Sequence, residues 1–503
     1  MVLYESTRGG KEGIPSAEAI KRGISPNGGL YVPQQIKELD QKDISNLVNM
    51  SYAQRAVFIL KQFLDDYTDD ELVDCVNNAY NTRKFETADI APIRPVSENL
   101  CLLELWHGPT CAFKDMALQI LPHFLVKAMD KTGEECEIVI LVATSGDTGK
   151  AALEGFADVK GTRIMVFYPA NGVSEVQKYQ MITQTGKNVK VFGVNGNFDD
   201  TQSGVKRIFT DKNLIEEMAK RNLKFSSANS INWGRLVPQI IYYFSAYADL
   251  VKIDRIKAGE KVNFVVPTGN FGNILAGYYA MRMGLPVNKL ICASNDNNIL
   301  TDFIRTGNYD KRRKFIRTVS PSMDILISSN LERLLYELTG HDDQRVSDWM
   351  NRLNEDGHYE VGQNLLKELH KSFWAGWSNQ DETLKTIECV YKENNYVLDT
   401  HTAVAVDVYD KYVITTGDLT PTVIVSTASP FKFNGSVCKA LFGEKSIEGK
   451  TEFELLEILS KRTSMPIPAG LKDLDNKSVL HSNVCEKYDM KTVVTEYLFK
   501  GEY

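Results

Sequence analysis

A repeated succession of strand, turn and helix from about residue 136 limits the fold more than any other feature. The first unit reads "CEIVILVA", "TSGDTG" and "KAALEGFA", and the next reads "RIMVFYP", "ANGVS" and "EVQKYQMITQTG", ahead of a short strand "VKVFGV". The rhythm returns at "KVNFVVPTGNFGNILAGYYAMRMGLP", "KLICAS" and "TPTVIVSTAS". Because strands that alternate with helices form parallel sheets covered by helices, this pattern predicts an α/β fold with mostly parallel sheets.

Regions of different character flank and interrupt this rhythm. Residues 1–95 combine a turn-rich opening with amphipathic segments such as "YAQRAVFILKQFL", which predicts an N-terminal helical cap. Residues 305–395 are more charged and helical, which indicates an insertion. We therefore expect a cap domain over 1–95, a small α/β domain over 96–230 and a large α/β domain over 231–503 that carries the insertion.

Composition and charge exclude several classes of function. The chain has 503 residues, 43% of them hydrophobic, which is enough for a sizeable core. A net charge of -7 over this length argues against nucleic-acid or anionic-membrane binding, so any positive field must be local. The eight cysteines form no CxxC pair, which predicts neither a metal site nor a disulfide framework. Without a signal-peptide core or a long apolar run, the expected compartment is the cytosol.

Two loops that follow strands have the composition of anion-binding turns. "PTGNFGN", residues 267–273, leads into a helix, so its backbone N–H groups and the helix dipole can converge on a phosphate. A plain strand-to-helix turn would need the same glycines. "TSGDTGK", residues 144–150, adds hydroxyl groups, but Gly146 and Gly149 are too close for the GxxxxGK[ST] spacing of a nucleotide P-loop.

A third polar stretch, "SSANSINWGR", brings together Asn229, Ser230, Asn232 and Arg235. Arginine is suited to a bidentate grip on phosphate or carboxylate. A capped loop with a solvated arginine is the alternative interpretation. Together with the two loops, the stretch indicates a small anionic ligand.

The segment "HGPTCAFKDMALQ" places Lys114 between Phe113 and Asp115, directly after a Gly-Pro-Thr turn. A lysine that forms a Schiff base is activated by desolvation or by cationic surroundings that lower its pKa. Phe113 and the apolar run after Asp115 would exclude water from the amine. The alternative interpretation is that Lys114 is an ordinary residue in the first turn of a helix. Pro122 should kink or divide the helix that follows.

Five blocks, "HGPTCAFKD", "ATSGDTGKAA", "NSINWGR", "PTGNFGN" and "DTHTAVA", resemble the signature blocks of the threonine synthase family in the order that the family carries them. The resemblance runs from near residue 4 to about residue 435, and the size and insertion are similar to the fungal-type enzyme. It implies the tryptophan-synthase β-like fold, fold type II of the pyridoxal-phosphate (PLP) enzymes. That fold has two open, twisted, mostly parallel sheets flanked by helices.

The resemblance also implies roles for individual residues. Lys114, in the small domain, would be the Schiff-base lysine, and Thr427 would place a hydroxyl at the pyridine nitrogen. Asp147 would face the 3'-oxygen of the ring, where many relatives of this fold have an asparagine. The cofactor phosphate would be held by Gly269, Asn270, Phe271, Gly272 and Asn273, and the substrate by Thr144, Ser145, Thr148, Asn229, Ser230, Asn232 and Arg235.

The implied reaction converts O-phospho-L-homoserine and water to L-threonine and phosphate, the last step of threonine biosynthesis. One departure is Ser429 in "TASPFKF", where the family commonly has a histidine. A threonine-synthase-like phospholyase, which eliminates phosphate to a 2-oxo acid, is therefore an alternative, as is a PLP-binding relative without activity. The expected partner is a small molecule, not nucleic acid or a membrane, and the sequence does not decide between a monomer and a homodimer.

Overall fold

The computed structural model describes residues 1–10, 12–144 and 146–500. The strands are β1 Tyr4–Ser6, β2 Tyr31–Pro33, β3 Ile93–Pro95, β4 Leu100–Glu104, β5 Glu137–Ala143, β6 Thr162–Pro169, β7 Val189–Asn195, β8 Leu223–Ser226, β9 Val262–Pro267, β10 Val287–Ser294, β11 Asn308–Asp310, β12 His358–Glu360, β13 Phe373–Trp377, β14 Thr422–Ser426 and β15 Val484–Glu486. The helices are α1 Ser16–Arg22, α2 Gln41–Asn46, α3 Tyr52–Lys61, α4 Asp69–Ala79, α5 Asp115–Leu118, α6 Leu121–Lys131, α7 Asp147–Phe156, α8 Glu175–Ile182, α9 Phe198–Phe209, α10 Lys212–Ala219, α11 Trp233–Lys252, α12 Gly272–Arg282, α13 Ile299–Thr306, α14 Leu331–Leu338, α15 Asp343–Glu355, α16 Gln363–Ser372, α17 Gln380–Asn394, α18 Thr400–Thr416, α19 Asn434–Phe442, α20 Glu452–Thr463 and α21 Met490–Phe499.

Two mostly parallel sheets confirm the predicted α/β fold. One sheet has the order β13-β10-β9-β14-β4-β3, in which β3 pairs antiparallel with β4 and the other neighbours are parallel. The other has the order β15-β7-β6-β5-β8 and is parallel throughout. The consecutive residues Phe264 and Val265 in the first sheet, and Val139 and Ile140 in the second, point to opposite faces, and all four side chains are buried. Helices therefore cover both faces of these sheets.

The sheets draw their strands from distant parts of the chain. β4 belongs to the same sheet as β9 and β14, whereas β15, near the C-terminus, joins the edge of the sheet built by β5 to β8. The boundaries near residues 95 and 230 stay a prediction, and the sheet membership of β4 and β15 crosses them. Strand pairing does not depend on position in the chain, so the order of segments in the sequence does not assign these two strands to a sheet.

The N-terminal region packs on α11, the long helix that runs through the interior. The indole of Trp233 at the start of α11 meets the rings of Tyr4, Phe63 and Tyr279, with centroids 5.3, 5.7 and 5.5 Å away. α3 matches the amphipathic segment predicted in the cap. In the part of the chain that the structure covers, no helix is long and apolar enough to cross a membrane.

Pro122 divides its helix, as predicted. α5 ends at Leu118, and α6 begins at Leu121 with the proline in its first turn. Proline is tolerated there because the N–H group that it lacks would have no partner within the helix.

The segment 305–395 is helical for the most part, and it also supplies β13 to the edge of the first sheet. Its buried Arg333 joins three regions of the protein. The guanidinium donates to the carbonyl of Tyr31 at 2.9 Å and to that of Ile231 at 2.5 Å, and it also bonds the amide oxygen of Asn330. The insertion thus fixes the N-terminal cap and the loop after β8 in one place.

His341 makes a second link between the insertion and the N-terminal strand. Its Nδ1 lies 2.7 Å from Glu5 Oε1, its Nε2 lies 3.5 Å from Glu337 Oε2, and its ring stacks on Tyr336. The hydrogen bonds to Glu337 and Glu5 raise the pKa of His341, although burial acts in the opposite direction. Protonated His341 therefore bridges two largely buried carboxylates.

This arrangement predicts a pH-dependent part of the stability. Because the pKa is raised in the folded state, the stabilisation is complete below the unfolded pKa of about 6.5 and is lost as the pH rises through the folded value. His341 has a φ of 69°, a left-handed conformation that asparagine tolerates better than most residues, so we choose His341→Asn as the variant. This substitution should lower the Tm more at about pH 6 than at about pH 9.

Thermal unfolding across this range tests the prediction. The control is His370→Asn, because the His370 ring contacts the Ile304 carbonyl rather than an acidic side chain. A Tm difference between wild type and His341→Asn that stays constant with pH would contradict the bridge.

Candidate active site

A cavity of about 390 Å³ lies at the carboxyl ends of strands from both sheets, where parallel α/β folds place their ligands. It gathers most of the residues that the sequence singled out. Those lining it are Lys114, Thr144, Asp147, Thr148, Asn229, Ser230, Arg235, Gly269, Asn270, Gly272, Asn273 and Thr427. They come from loops after β4, β5, β8, β9 and β14.

Two of the predicted site residues have side chains that stabilise the fold, and a third predicted site residue lies outside the described residues. Asn232 caps α11 by accepting from Gly234 N at 2.8 Å, and its amide donates to the Ile20 carbonyl. The Phe271 ring is buried against Phe373, with centroids 5.9 Å apart. Ser145 is the residue that the structure does not describe.

Lys114 reaches into the cavity just before α5. Its Nζ lies 5.0 Å from the centroid of the Phe113 ring, 3.5 Å from Ser322 Oγ and 3.8 Å from Asp147 Oδ2. Burial lowers the pKa of the Lys114 ammonium. The positive charges of Lys432 and Arg235 lower this pKa further, whereas the carboxylate of Asp147 raises it. The surroundings of the amine thus shift its protonation equilibrium towards the neutral form.

The Gly-Pro-Thr turn before the lysine is closed by Asp115. This buried carboxylate accepts from Thr110 N at 2.8 Å and from Thr110 Oγ1 at 2.7 Å. A Cβ at Gly108 would lie 2.6 Å from Asp115, so this position has no room for a side chain. The residues around Lys114 in the sequence are therefore those that fix its backbone.

Asp147 begins α7 and divides its two oxygens between the cavity and the protein interior. Oδ1 accepts from Lys432 Nζ and Gln177 Nε2, each at 2.8 Å. Oδ2 lies 3.3 Å from Ser322 Oγ and faces Lys114. Burial alone would raise its pKa, but the ammonium groups of Lys432 and Lys114 hold the pKa of the carboxyl well below its usual range.

The glycine loop, residues 269–273, turns its carbonyl groups away from the cavity. The Gly269 carbonyl accepts from Ser328 Oγ at 2.7 Å, and the Asn270 carbonyl accepts from the backbone and side chain of Asn330 at 3.1 and 3.0 Å. Phe271 adopts a left-handed conformation, φ 63°, which bends the chain into α12. This orientation leaves the N–H groups for a ligand.

No acceptor among the described residues bonds the backbone N–H groups of Asn270, Phe271, Gly272 and Asn273. A Cβ at Gly272 would come no closer than 3.5 Å to a neighbouring atom, so space remains beside them. Free N–H groups at a helix N-terminus fit a bound phosphate.

Thr144 shapes the second loop. Its Oγ1 accepts from Gly146 N at 3.0 Å and from Gly149 N at 2.9 Å, and it donates to the Gly146 carbonyl. The hydroxyl is therefore committed to the turn that starts α7. Thr148, which lines the cavity, is the better candidate for contact with a ligand.

Arg235 lies buried in the first turn of α11 and also lines the cavity. One terminal nitrogen donates to the Ala228 carbonyl at 2.6 Å, while the buried Nε–H has no acceptor among the described residues. Burial lowers the pKa of Arg235 to about 10. A buried guanidinium with an unused donor calls for an anionic partner.

Sequence reasoning missed several residues at this site. Ser322 N donates to His401 Nε2 at 3.1 Å, and His401 Nδ1 bonds Asp399 Oδ1 at 3.0 Å, so an aspartate orients an imidazole that lines the cavity. "DTHTAVA" contained this pair, whereas Ser322 carries no local motif. Lys206 on α9 also lines the cavity and is exposed.

Ser429 contributes no atom to the cavity lining. It is fully buried, its N–H donates to the Cys111 carbonyl at 3.0 Å, and its Oγ accepts from Phe431 N at 3.4 Å. Ser429, which stands where the family commonly has a histidine, therefore stabilises a tight turn in this chain.

Three family models match the chain in order. "Threonine synthase N terminus" matches residues 3–80, "Pyridoxal-phosphate dependent enzyme" matches residues 87–364, and "Threonine synthase, C-terminal" matches residues 402–493. The second model covers the segment from before Lys114 to beyond the glycine loop.

Similar proteins include threonine synthase-like 1 of Homo sapiens, 42% identical over 84% of this chain and 58% of that protein. The chain thus spans less than two thirds of the length of that relative. Threonine synthase of Saccharomyces cerevisiae is 37% identical over 88% of this chain and 89% of its own.

Solved structures agree. The PLP-bound threonine synthase from Brucella melitensis superposes with a TM-score of 0.87 at 36% sequence identity. Threonine synthase from yeast superposes with a TM-score of 0.87 at 34% sequence identity. Each match covers 99% of this chain and 99% of the other chain. The cofactor is accordingly pyridoxal 5'-phosphate, which the free N–H groups and the largely buried Lys114 fit. The chain therefore belongs to the threonine synthase family of pyridoxal-phosphate dependent enzymes.

Proposed function

We propose that the protein is a threonine synthase, which converts O-phospho-L-homoserine and water to L-threonine and inorganic phosphate. The observation that carries this proposal is one cavity lined by a largely buried lysine, by a glycine loop with free N–H groups and by a buried arginine with an unused N–H group. A phosphorylated cofactor and a phosphorylated amino acid together would need two such groups of N–H donors, one for each anion. The cytosol stays the predicted compartment.

The glycine loop is proposed to bind the cofactor phosphate, and Lys114 to hold the cofactor covalently. When bound, PLP supplies an electron sink that makes the α-hydrogen of an amino-acid substrate acidic. Thr427, after β14, is proposed to place its hydroxyl at the pyridine nitrogen. Asp147 is proposed to lie near the 3'-oxygen of the ring.

Lys114 is proposed to move the protons of the reaction. Burial favours the neutral amine, which can accept a proton from carbon, and Asp147 Oδ2, 3.8 Å from Nζ, stabilises the ammonium that results. The lysine can therefore act as base and then as acid. Segment 321–325 forms part of the cavity wall.

Arg235, Asn229, Ser230 and Thr148 are proposed to hold the substrate. Arg235 is the buried cation with an unused N–H group, and Lys206 adds a second, exposed cation to the lining. A substrate with a carboxylate and a phosphate would use both cations. Incubation with O-phospho-L-homoserine, followed by separation of threonine from 2-oxobutyrate, tests the proposal directly.

Elimination of phosphate to a 2-oxo acid is the second candidate. The relative at 42% identity has the name threonine synthase-like 1, and the relative at 37% has the name threonine synthase, so the identities do not select the synthase reaction over this alternative. Ser429, the departure that suggested it, does not line the cavity. The same product analysis separates the two reactions.

Lys114→Ala should remove the visible absorption of the PLP-loaded protein and lower the rate by at least ~10²-fold, because both cofactor attachment and proton transfer are lost. Absorption spectra and product formation measure this. Lys127→Ala is the control, since Lys127 lies on α6 beside Asp74 and outside the cavity lining. Wild type that stays colourless after PLP reconstitution would contradict the role of Lys114.

Gly272→Val should raise the Kd for PLP at least ~10-fold, because the side chain would fill the space beside the N–H groups and cost about 1.5–3 kcal/mol of hydrogen bonding to a charged group. The matched control is Gly435→Val in the first turn of α19, where a Cβ would meet no atom closer than 4.0 Å. Gly269 is less suitable, since a Cβ there would lie 2.8 Å from the Ser322 carbonyl. Equal Kd values in a PLP titration of both variants would mean that the loop is only a turn.

Arg235→Ala should lower kcat/KM for O-phospho-L-homoserine at least ~30-fold, the effect of losing a charge-assisted contact to a buried anion, while PLP absorption remains. Arg235→Lys should restore only part of the loss, because an ammonium lacks the planar fork. Arg207→Ala, on the exposed side of α9, is the control. Near-normal kinetics, or loss of PLP from Arg235→Ala, would refute the assignment.

A further inference from the structure

Lys432 is a buried cation beside the active site that none of the roles above uses. Its side chain is fully excluded from solvent, and it lies in the turn 430–433 that follows β14. Nζ donates to Asp147 Oδ1 and to the Thr110 carbonyl, each at 2.8 Å. It does not line the cavity.

The contacts of Asp147 show what Lys432 does. Lys432 and Gln177 occupy Oδ1, so Oδ2 is the oxygen directed at Ser322 and Lys114. A carboxylate buried this deeply would take up a proton unless a cation compensated its charge. Lys432 is the nearest cation, and it is tied to the backbone of the Gly-Pro-Thr turn.

The charge of Asp147 matters because it faces the reactive nitrogen. The charged groups acting on Lys114 are Asp147, Lys432, Arg235 and Asp115. Asp147 is the acid that directly approaches Nζ, at 3.8 Å, whereas the Asp115 carboxylate is occupied by Thr110. An ionised Asp147 stabilises a proton on the lysine nitrogen, and a neutral one does not.

We propose that Lys432 is a positioning residue that keeps Asp147 ionised, and that this carboxylate in turn holds a proton on the Lys114 nitrogen when PLP is attached to it. The proposal rests on the cofactor and not on the substrate, so it can be tested without O-phospho-L-homoserine. No bond is made or broken, since the effect is on one proton equilibrium.

The test is the pH dependence of the visible absorption of substrate-free holoenzyme. Asp147→Asn should lower the midpoint by about 1 to 3 pH units, the usual effect of removing one close opposite charge. Lys432→Met should lower it in the same direction, because Asp147 then becomes protonated. The double variant should match Asp147→Asn, so that the two effects do not add.

Lys150→Met is the matched control. Lys150 lies on the same helix as Asp147 and is also largely buried. Its Nζ lies 2.8 Å from the Glu154 carboxylate, and neither residue lines the cavity. It should leave the midpoint unchanged. Thermal unfolding of the apo-proteins gives a second readout: Lys432→Met should have a lower Tm than wild type, and the double variant should recover part of the difference.

An unchanged or raised midpoint in Lys432→Met, or an unchanged midpoint in Asp147→Asn, would overturn the proposal. If Lys432→Met does not fold, the double variant decides by comparison with Asp147→Asn: because Lys432 is proposed to act only through Asp147, a midpoint of the double variant that differs from that of Asp147→Asn would refute the proposal. Absence of a visible band in wild type would instead refute PLP binding at Lys114 and would leave threonine formation to be judged separately.

Discussion

Charge buried between the two sheets is the constraint on which the site depends. Asp147 belongs to the α7 side, Lys114 to the turn before α5, and Lys432 to the turn after β14. Removal of one partner from a buried ion pair typically costs about 3–5 kcal/mol, because the other is left uncompensated. These groups can be compensated only when the two sheets have docked. Folding and assembly of the site are therefore one event at this point.

The insertion supports the site from outside. Ser328 and Asn330 bond the carbonyl groups of Gly269 and Asn270, and Arg333 holds the loop carrying Ser230 through the Ile231 carbonyl. Each bond occupies a carbonyl that would otherwise compete for space or for N–H groups in the cavity. A segment that contains no signature block thus determines which way the backbone of the glycine loop points.

Local patterns in the sequence predicted the strands β5, β6, β7, β9, β10 and β14, the division at Pro122 and the loops at the carboxyl ends, because each of these depends on neighbouring residues. Contacts over long distances could not be predicted in this way. Lys114 and Ser322 are 208 residues apart, and Lys432 and Thr110 are 322 apart. Asn232 and Phe271 show the opposite problem, since both lie in the predicted motifs although their side chains cap a helix and fill the core.

The arrangement of charge explains how a protein of net charge -7 can bind two anionic molecules in one cavity. Of the acidic groups in the lining, Asp147 is compensated by Lys432, and Asp324 accepts from Asn295, Asn297 and Thr318. Lys206 and Arg235 then leave the lining with an excess of positive charge, to which Lys114 adds when it is protonated. Because low-dielectric walls concentrate such a field, it acts on ligands in the cavity while the rest of the surface stays acidic. The positive field that the composition required to be local is located here, and its cations come from three separate segments: Lys114 before α5, Lys206 on α9 and Arg235 on α11.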